Sequence, residues 1–130
     1  NTGRSYCLAK LANILFTREL ARRLQAEGIV AHALHPGTVD SNFINHADDR
    51  MHAYMRTLKF RSPGDAADDL LWVATAAENG TTTGKYFERR ELMDPAPAAL
   101  DDLAASRLWD ASEKLVARAQ PLPMAGISNL

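Results

Sequence analysis

The chain has 130 residues, of which 46% are hydrophobic and 24% charged, with a formal net charge of −1 at pH 7. Those proportions suit one ordinary globular domain, and the scattered basic residues argue against a nucleic-acid or anionic-membrane surface. Charges interrupt every apolar run, so no membrane-spanning segment is expected, and the lone cysteine, Cys7, cannot close an internal disulfide, which fits a reducing, cytoplasmic compartment.

No leader peptide is expected at the start of the chain. Asn1 to Ser5 reads as a short polar lead into a long helix from Tyr6 to about Glu27. That helix carries Leu8, Leu11, Ala12, Ile14, Leu15, Phe16, Leu20, Ala21 and Leu24, more than one apolar stripe, so it needs a sheet and a second partner. Arg18, Glu19, Arg22, Arg23 and Glu27 read as its solvated edge, and Gly28 as the left-handed residue that stops it. Cys7 reads as a small buried filler.

Ile29 to His35 is predicted as a strand closed by Pro36-Gly37. Helix, glycine turn and strand make half of a βαβ unit, the mark of a layered α/β fold. Ser41 to Arg61 reads as a loop with one or two short helices, and its Met and aromatic residues suit either a cover over an apolar ligand or an ordinary core-facing helix. Ser62-Pro63-Gly64-Asp65 is a helix start, with Ser62 as cap, and the helix is expected to reach about Ala77. A second strand is expected at Lys85–Phe87, a linker at Asp94–Pro97 and a last helix from about Ala99 to Ala117, with Leu100, Leu103, Leu108, Trp109, Leu115 and Val116 facing a core. The tail from Pro121 is expected to be irregular.

Two short motifs carry chemistry. Tyr6 and Lys10 stand four apart, so on a helix they share a face with Cβ atoms about 5–6 Å apart. An ammonium held there favours the phenolate form and suits the phenol to giving or taking a proton near neutral pH. The same spacing also suits an interfacial tyrosine with a lysine snorkelling past it. Pro36-Gly37-Thr38-Val39-Asp40-Ser41 follows the first strand, where ligands of open α/β sheets bind. Gly37 permits close backbone approach, Val39 offers main-chain groups and Ser41 a hydroxyl; a plain Pro-Gly turn is the other reading. No metal site is expected, since His46, Asp48, Asp49 and His52 lack zinc-ligand spacing, and His32 and His35 read as packed residues or as supports behind a site, not as ligands.

Taken together, these segments resemble the short-chain dehydrogenase/reductase family, most closely its retinol-dehydrogenase-like branch. The run Lys10 to Leu24 is similar to that branch's helix almost unbroken, and His35-Pro36-Gly37, Gly84-Lys85-Tyr86-Phe87 and Leu108 to Leu115 resemble its later landmarks. The resemblance covers Tyr6 to Val116. It implies the C-terminal portion of a Rossmann-like, doubly wound parallel sheet flanked by helices, within one dinucleotide-binding domain whose glycine-rich loop, Asn-Ala-Gly segment and catalytic serine precede the tyrosine and so lie outside residues 1–130.

The activity implied is NAD- or NADP-dependent hydride transfer between a small-molecule carbonyl and alcohol, of lipophilic character. Tyr6 is implied as general acid and base. Lys10 is implied to favour the phenolate and to bind the nicotinamide ribose. Pro36, Gly37, Thr38 and Val39 are implied to line the nicotinamide, with the Val39 backbone at its carboxamide; Ser41 stands where the family usually has threonine and keeps the hydroxyl. A homo-oligomer is expected, and the 130 residues alone are expected to be inactive. The competing reading is a non-catalytic oligomerisation or interaction module that uses the apolar first helix.

Overall fold

Gly28 decides where the first helix ends. The computed structural model describes residues 2–41 and 49–119. Helix α1 spans Thr2–Leu24, tightens into a 3-10 turn over Gln25–Glu27, and stops at Gly28, whose φ of 73° is left-handed. The Gly28 N–H donates back to the Gln25 carbonyl at 3.1 Å, satisfying one of the helix-end acceptors. The expected polar lead is instead part of the helix from Thr2 onward, because extending a formed helix costs little once its nucleus exists.

The strand expected over Ile29–His35 is regular only at Ala33–His35 (β1). Its approach is still tied down: Ala31 N–H donates to Thr83 Oγ1 at 3.0 Å, and Gly84 N–H to Ala31 O at 2.7 Å. After β1 come α2 (Asp49–Met55), α3 (Pro63–Thr75) and β2 (Tyr86–Glu88). Strands β1 and β2 are parallel, with Ala33 opposite Tyr86 and His35 opposite Glu88, as the βαβ reading expects.

A third strand, β3 (Glu91–Leu92), pairs antiparallel with β2, so the sheet is mixed, in the order β1-β2-β3, and not purely parallel. The hairpin turns on Arg89 and Arg90, both at positive φ (52° and 68°). A two-residue hairpin loop favours that region to match strand twist, but Arg-Arg is not its usual Asn-Gly signature, so nothing in the sequence marked it.

Helix α3 starts as expected, with Ser62 Oγ accepting from the Asp65 N–H at 3.0 Å. It ends two residues before Ala77, where a 3-10 turn over Ala77–Thr81 folds Asn79 back. Buried Asn79 donates through Nδ2 to the Trp72 and Val73 carbonyls, closing the helix end. Phe87 is buried between His32 and Trp72, both edge-on to its ring at 5.3 and 5.8 Å.

The last helix, α4 (Asp102–Arg118), follows a 3-10 turn at Pro97–Leu100 and is capped by Asp101, which accepts from the Ala104 N–H at 2.9 Å. It packs on α1, where Phe16 and Trp109 stack at 5.1 Å and Arg23 lies over the Trp109 ring at 4.8 Å. Arg18 pairs with Asp102 at 2.8 Å and Arg23 approaches Asp110 at 3.6 Å. The edge of α1 read as solvated is therefore a seam. Glu19 at its centre is only 2% exposed and accepts from Arg22 and Arg23 one turn on.

Other assignments change as well. Of the apolar residues expected in a core, Leu100, Leu103, Leu115 and Val116 are exposed, as are Leu70 and Leu71 on α3. Cys7 is exposed and not a buried filler. His46, Asp48, Phe43 and Ile44 lie outside the described residues, and among the described residues no helix is long and apolar enough to cross a membrane. No group of three or more His, Cys, Asp or Glu side chains among the described residues could hold a metal.

The Glu19 arrangement has a pH signature. The Arg22 hydrogen bond holds its carboxyl below the ordinary 4.5, against the opposing effect of burial and with help from Arg23. A depressed folded value means the stabilisation is complete above the ordinary value and is lost as pH falls through the lowered one. In the intact protein, Glu19→Gln is expected to lower Tm by a few degrees at neutral pH and to flatten the fall of Tm below about pH 4.5. A Tm-versus-pH series on the two proteins checks it; parallel curves would rule out the coupling.

Candidate active site

Four of the residues singled out by sequence come together. Tyr6 and Lys10, one turn apart on α1, line a cleft of about 420 Å³ with Pro36 and Gly37 from the loop after β1. Cys7, Asn13 and Ile14 from α1, Ala33 to His35 from β1, and Tyr86 from β2 complete the wall. The Lys10 ammonium stands 5.4 Å from the centroid of the Tyr6 ring, so the cation and the phenol share one face as the spacing requires. Tyr6 is 46% exposed, reachable from the cleft mouth.

The loop is held in a defined shape. Gly37 has φ of 78°, and its N–H donates to His35 Nδ1 at 2.8 Å. In that bond Nδ1 is the acceptor, which leaves Nε2 as the ring nitrogen that carries hydrogen. A β-carbon at Gly37 would stand 3.0 Å from Cδ of Arg61, so glycine is needed both for the backbone angle and for the space.

Thr38, Val39 and Ser41 do not line this cleft. Val39 instead forms an isolated parallel bridge to Arg61, through Arg61 N–H to Thr38 O (2.8 Å) and Asp40 N–H to Arg61 O (2.9 Å). In such a bridge the neighbours of Val39 face Arg61, while the N–H and C=O of Val39 itself project from the opposite edge. No hydrogen bond among the described residues uses them. Main-chain donor and acceptor are thus presented side by side, the pattern that meets a carboxamide.

Sequence reading missed three residues here. Arg61 Nη1 donates to Pro36 O at 2.9 Å and its Nη2 stands 2.7 Å from Oδ2 of Asp69. Asp69, buried on α3, takes a second guanidinium, Arg90 Nε, at 3.1 Å. Arg61 beside it, opposed by desolvation and aided by Arg90, holds the Asp69 carboxyl below its ordinary range. No local signal announces this cluster, since its members lie in three separate segments.

The wall holds a second phenol, Tyr86. Burial, and then the Glu88 carboxylate, push Tyr86 above the ordinary 10.0, which keeps it a neutral phenol. His32 is a packed residue, as expected: its Nδ1 accepts from Lys85 N–H at 3.2 Å, leaving Nε2 to donate to Asn79 O at 2.9 Å.

No family model matches the chain. Individual relatives do. The chain is 39% identical over 136 residues to human retinol dehydrogenase 13, an alignment covering 95% of this chain and 41% of that protein. It is 40% identical over 116 residues to human dehydrogenase/reductase SDR family member 13, covering 86% of this chain and 31% of that protein. Human retinol dehydrogenase 14 is 35% identical over 121 residues, covering 89% of the chain and 36% of that protein. The chain therefore spans about two fifths or less of the length of these curated relatives. Over that span it belongs to the short-chain dehydrogenase/reductase family, on its retinol-dehydrogenase-like branch.

Proposed function

We propose that the protein carrying this chain is an NAD- or NADP-dependent oxidoreductase that interconverts a carbonyl and an alcohol. The observation that carries the reading is the meeting of Tyr6, Lys10 and the Pro36–Gly37 loop in one cleft at the carboxyl end of β1. The dinucleotide, when bound, supplies or accepts the hydride. Everything else falls to the chain. Tyr6 gives its phenolic proton to the carbonyl oxygen as an alcohol forms and takes it back in the reverse direction. Lys10 stabilises the phenolate left behind and donates to the nicotinamide ribose. Pro36 and Gly37 would pack against the nicotinamide and the Val39 main chain would meet its carboxamide, with the Thr38 and Ser41 hydroxyls carried on the same loop.

Substrate size and polarity are set by a wall in which Ile14, Ala33, Leu34 and Tyr86 present mainly carbon. This favours a lipophilic carbonyl or alcohol. The exposed apolar residues of α1, Leu8 and Phe16, favour a second reading, a non-catalytic oligomerisation or interaction module. Coenzyme binding separates the two readings. The first is compatible with a homo-oligomer; the second predicts association without any affinity for NADH or NADPH.

In the intact protein, Tyr6→Phe is expected to lower kcat by about 10²–10⁴-fold with coenzyme affinity nearly unchanged, since only the transferable proton is removed. Lys10→Met is expected to lower both kcat and coenzyme affinity. Steady-state kinetics and NAD(P)H fluorescence titration of the two variants check this, and full turnover by Tyr6→Phe would end the proton-donor assignment.

We further propose that residues 1–130 are the C-terminal part of one dinucleotide-binding domain, completed by a glycine-rich half and a catalytic serine elsewhere in the protein. The uncovered leucines on α3 and α4 support this. Each bulky side chain left in water forfeits roughly 1.5–3 kcal/mol, against a typical domain stability of about 5–15 kcal/mol. Expressed alone, the 130 residues are expected to aggregate or self-associate and not to bind NADH or NADPH. A cooperative calorimetric melt from a sedimentation-defined monomer would show the domain boundary to be wrong.

A further inference from the structure

The loop after β1 is shaped from outside itself. Among the described residues, Gly37 bonds locally to His35, and the other polar contacts of residues 36–40 converge on Arg61, 25 residues beyond Pro36. The Arg61 main chain binds Thr38 O and Asp40 N–H, its Nη1 holds Pro36 O at 2.9 Å, and its Cδ fills the space that glycine leaves at position 37. Its Nη2 is 2.7 Å from Asp69 Oδ2.

We propose that Arg61 is a positioning residue for coenzyme binding: braced on Asp69, it fixes the Pro36–Asp40 loop so that the Val39 amide and carbonyl face a carboxamide. The proposal rests on the coenzyme-dependent reading of the Tyr6–Lys10 cleft. It goes further by assigning the geometry of the nicotinamide contact to a side chain that does not line the cleft.

The chemistry of the guanidinium explains why an arginine stands here. Its donors sit on different edges of one rigid plane, so it can hold a carbonyl on one side and a carboxylate on the other at fixed separation. A lysine ammonium is a single point on a flexible stem and cannot brace both at the same distance. Asp69 is itself immobilised, with its side chain 7% exposed and Arg90 Nε on its other oxygen at 3.1 Å. The brace on the loop is the Arg61–Asp69 pair itself; Arg90 meets the other carboxylate oxygen of Asp69 and, among the described residues, makes no bond to the loop. Binding groups must be held to within about 0.5 Å to act, and a 1 Å misplacement can cost about 10²-fold. Loss of the brace leaves the loop only its His35 bond and the main-chain bridge.

The test uses the intact protein with NADH and NADPH as probes, read by fluorescence titration, alongside Tm and steady-state KM values. Arg61→Met keeps the carbon stem against Gly37 and removes the fork. It is expected to raise the coenzyme Kd about 10–100-fold while the KM for the carbonyl substrate changes little. Arg61→Lys recovers part of that loss, and Asp69→Asn gives a smaller rise in the same direction. Arg90→Gln, which removes the other partner of Asp69 without touching the loop, lowers Tm but leaves coenzyme Kd within about twofold.

Unchanged coenzyme Kd in Arg61→Met, or an equal rise in Arg90→Gln, would overturn the positioning role while the coenzyme reading stands. If Arg61→Met does not fold, Asp69→Asn and Arg61→Lys decide, and wild-type Kd in both overturns the proposal. If the wild-type protein binds neither NADH nor NADPH, the coenzyme reading itself falls and takes this one with it.

Discussion

Gly28 holds a φ of 73°, and the reversal it makes lets a helix and the segment that follows run back along one another. The arithmetic of that reversal places the site. From Gly28 to Gly37 the chain advances nine residues, about 30 Å at about 3.3 Å per extended residue. A helix covers that length in about 20 residues at about 1.5 Å each, which counts back from Gly28 to about Leu8. Leu8 lies between Tyr6 and Lys10. The phenol, the ammonium and the Pro36–Gly37 turn meet because helix and strand have matched lengths, and a one-residue change in either would carry them past each other. What keeps the two antiparallel is the approach of Ala21 to Gly84, and what keeps β1 in line is its three-residue parallel ladder with β2.

Two buried carboxylates stabilise this frame, each by the same device. An isolated charge in the interior costs far more than a domain can bear, so Glu19 and Asp69 are each held by two guanidinium groups. The scale of the two arrangements differs. Glu19 is served by Arg22 and Arg23 on its own helix, so its burial is compensated before α4 docks, and the seam can close over it. Asp69 gathers Arg61 and Arg90 from before and after its helix, so its burial is compensated only when α3, the loop it supports and the hairpin are all in place. One is a local solution and the other a tertiary one. The Arg90 contact also helps offset the cost of positive φ at Arg89 and Arg90, roughly 1–2 kcal/mol each for residues with a β-carbon.

This difference explains what could be read from the sequence. Features written within four residues were legible: the Gly28 stop, the Ser62 cap with Asp65, and the shared face of Tyr6 and Lys10. The parallel pairing of the two strands followed from their separation by a helix. Features that need a distant partner were not. Glu19 looks like any charge on a helical edge until Asp102 and Asp110 of α4 arrive at Arg18 and Arg23. Arg61 looks like a loop cation until Pro36 and Asp69 meet it. The hairpin at Arg89-Arg90 carries none of the residues that usually permit its backbone, and its support comes from Asp69, 21 residues back along the chain. Leu103, Leu115 and Val116 have the period of a buried face, and periodicity says which side of a helix is apolar without saying whether anything lies against it.

The width of the cleft depends on a contact at the far end of α1. A β-carbon at Gly84 would stand 3.4 Å from that of Ala21, so two of the smallest residues set how near the helix lies to the sheet. Ala21 is 15 residues from Tyr6, about 22 Å along the helix axis. A helix of this length behaves as a rod over such a span, so a larger side chain at Ala21 acts through a long lever. Lifting that end of the helix tilts Tyr6 and Lys10 relative to Pro36 and Gly37, or else shifts the whole rod outward and breaks the Phe16–Trp109 stack on its other face. The proton transfer proposed for Tyr6 would be sensitive to either displacement, since it requires heavy atoms within about 2.6–3.2 Å. What calls for glycine at position 84 is its φ of 71°, since a β-carbon there would meet Ala21 at about contact distance. The small residues Ala21 and Gly84, far from the cleft, thus bear on how the Tyr6–Lys10 face meets Pro36 and Gly37.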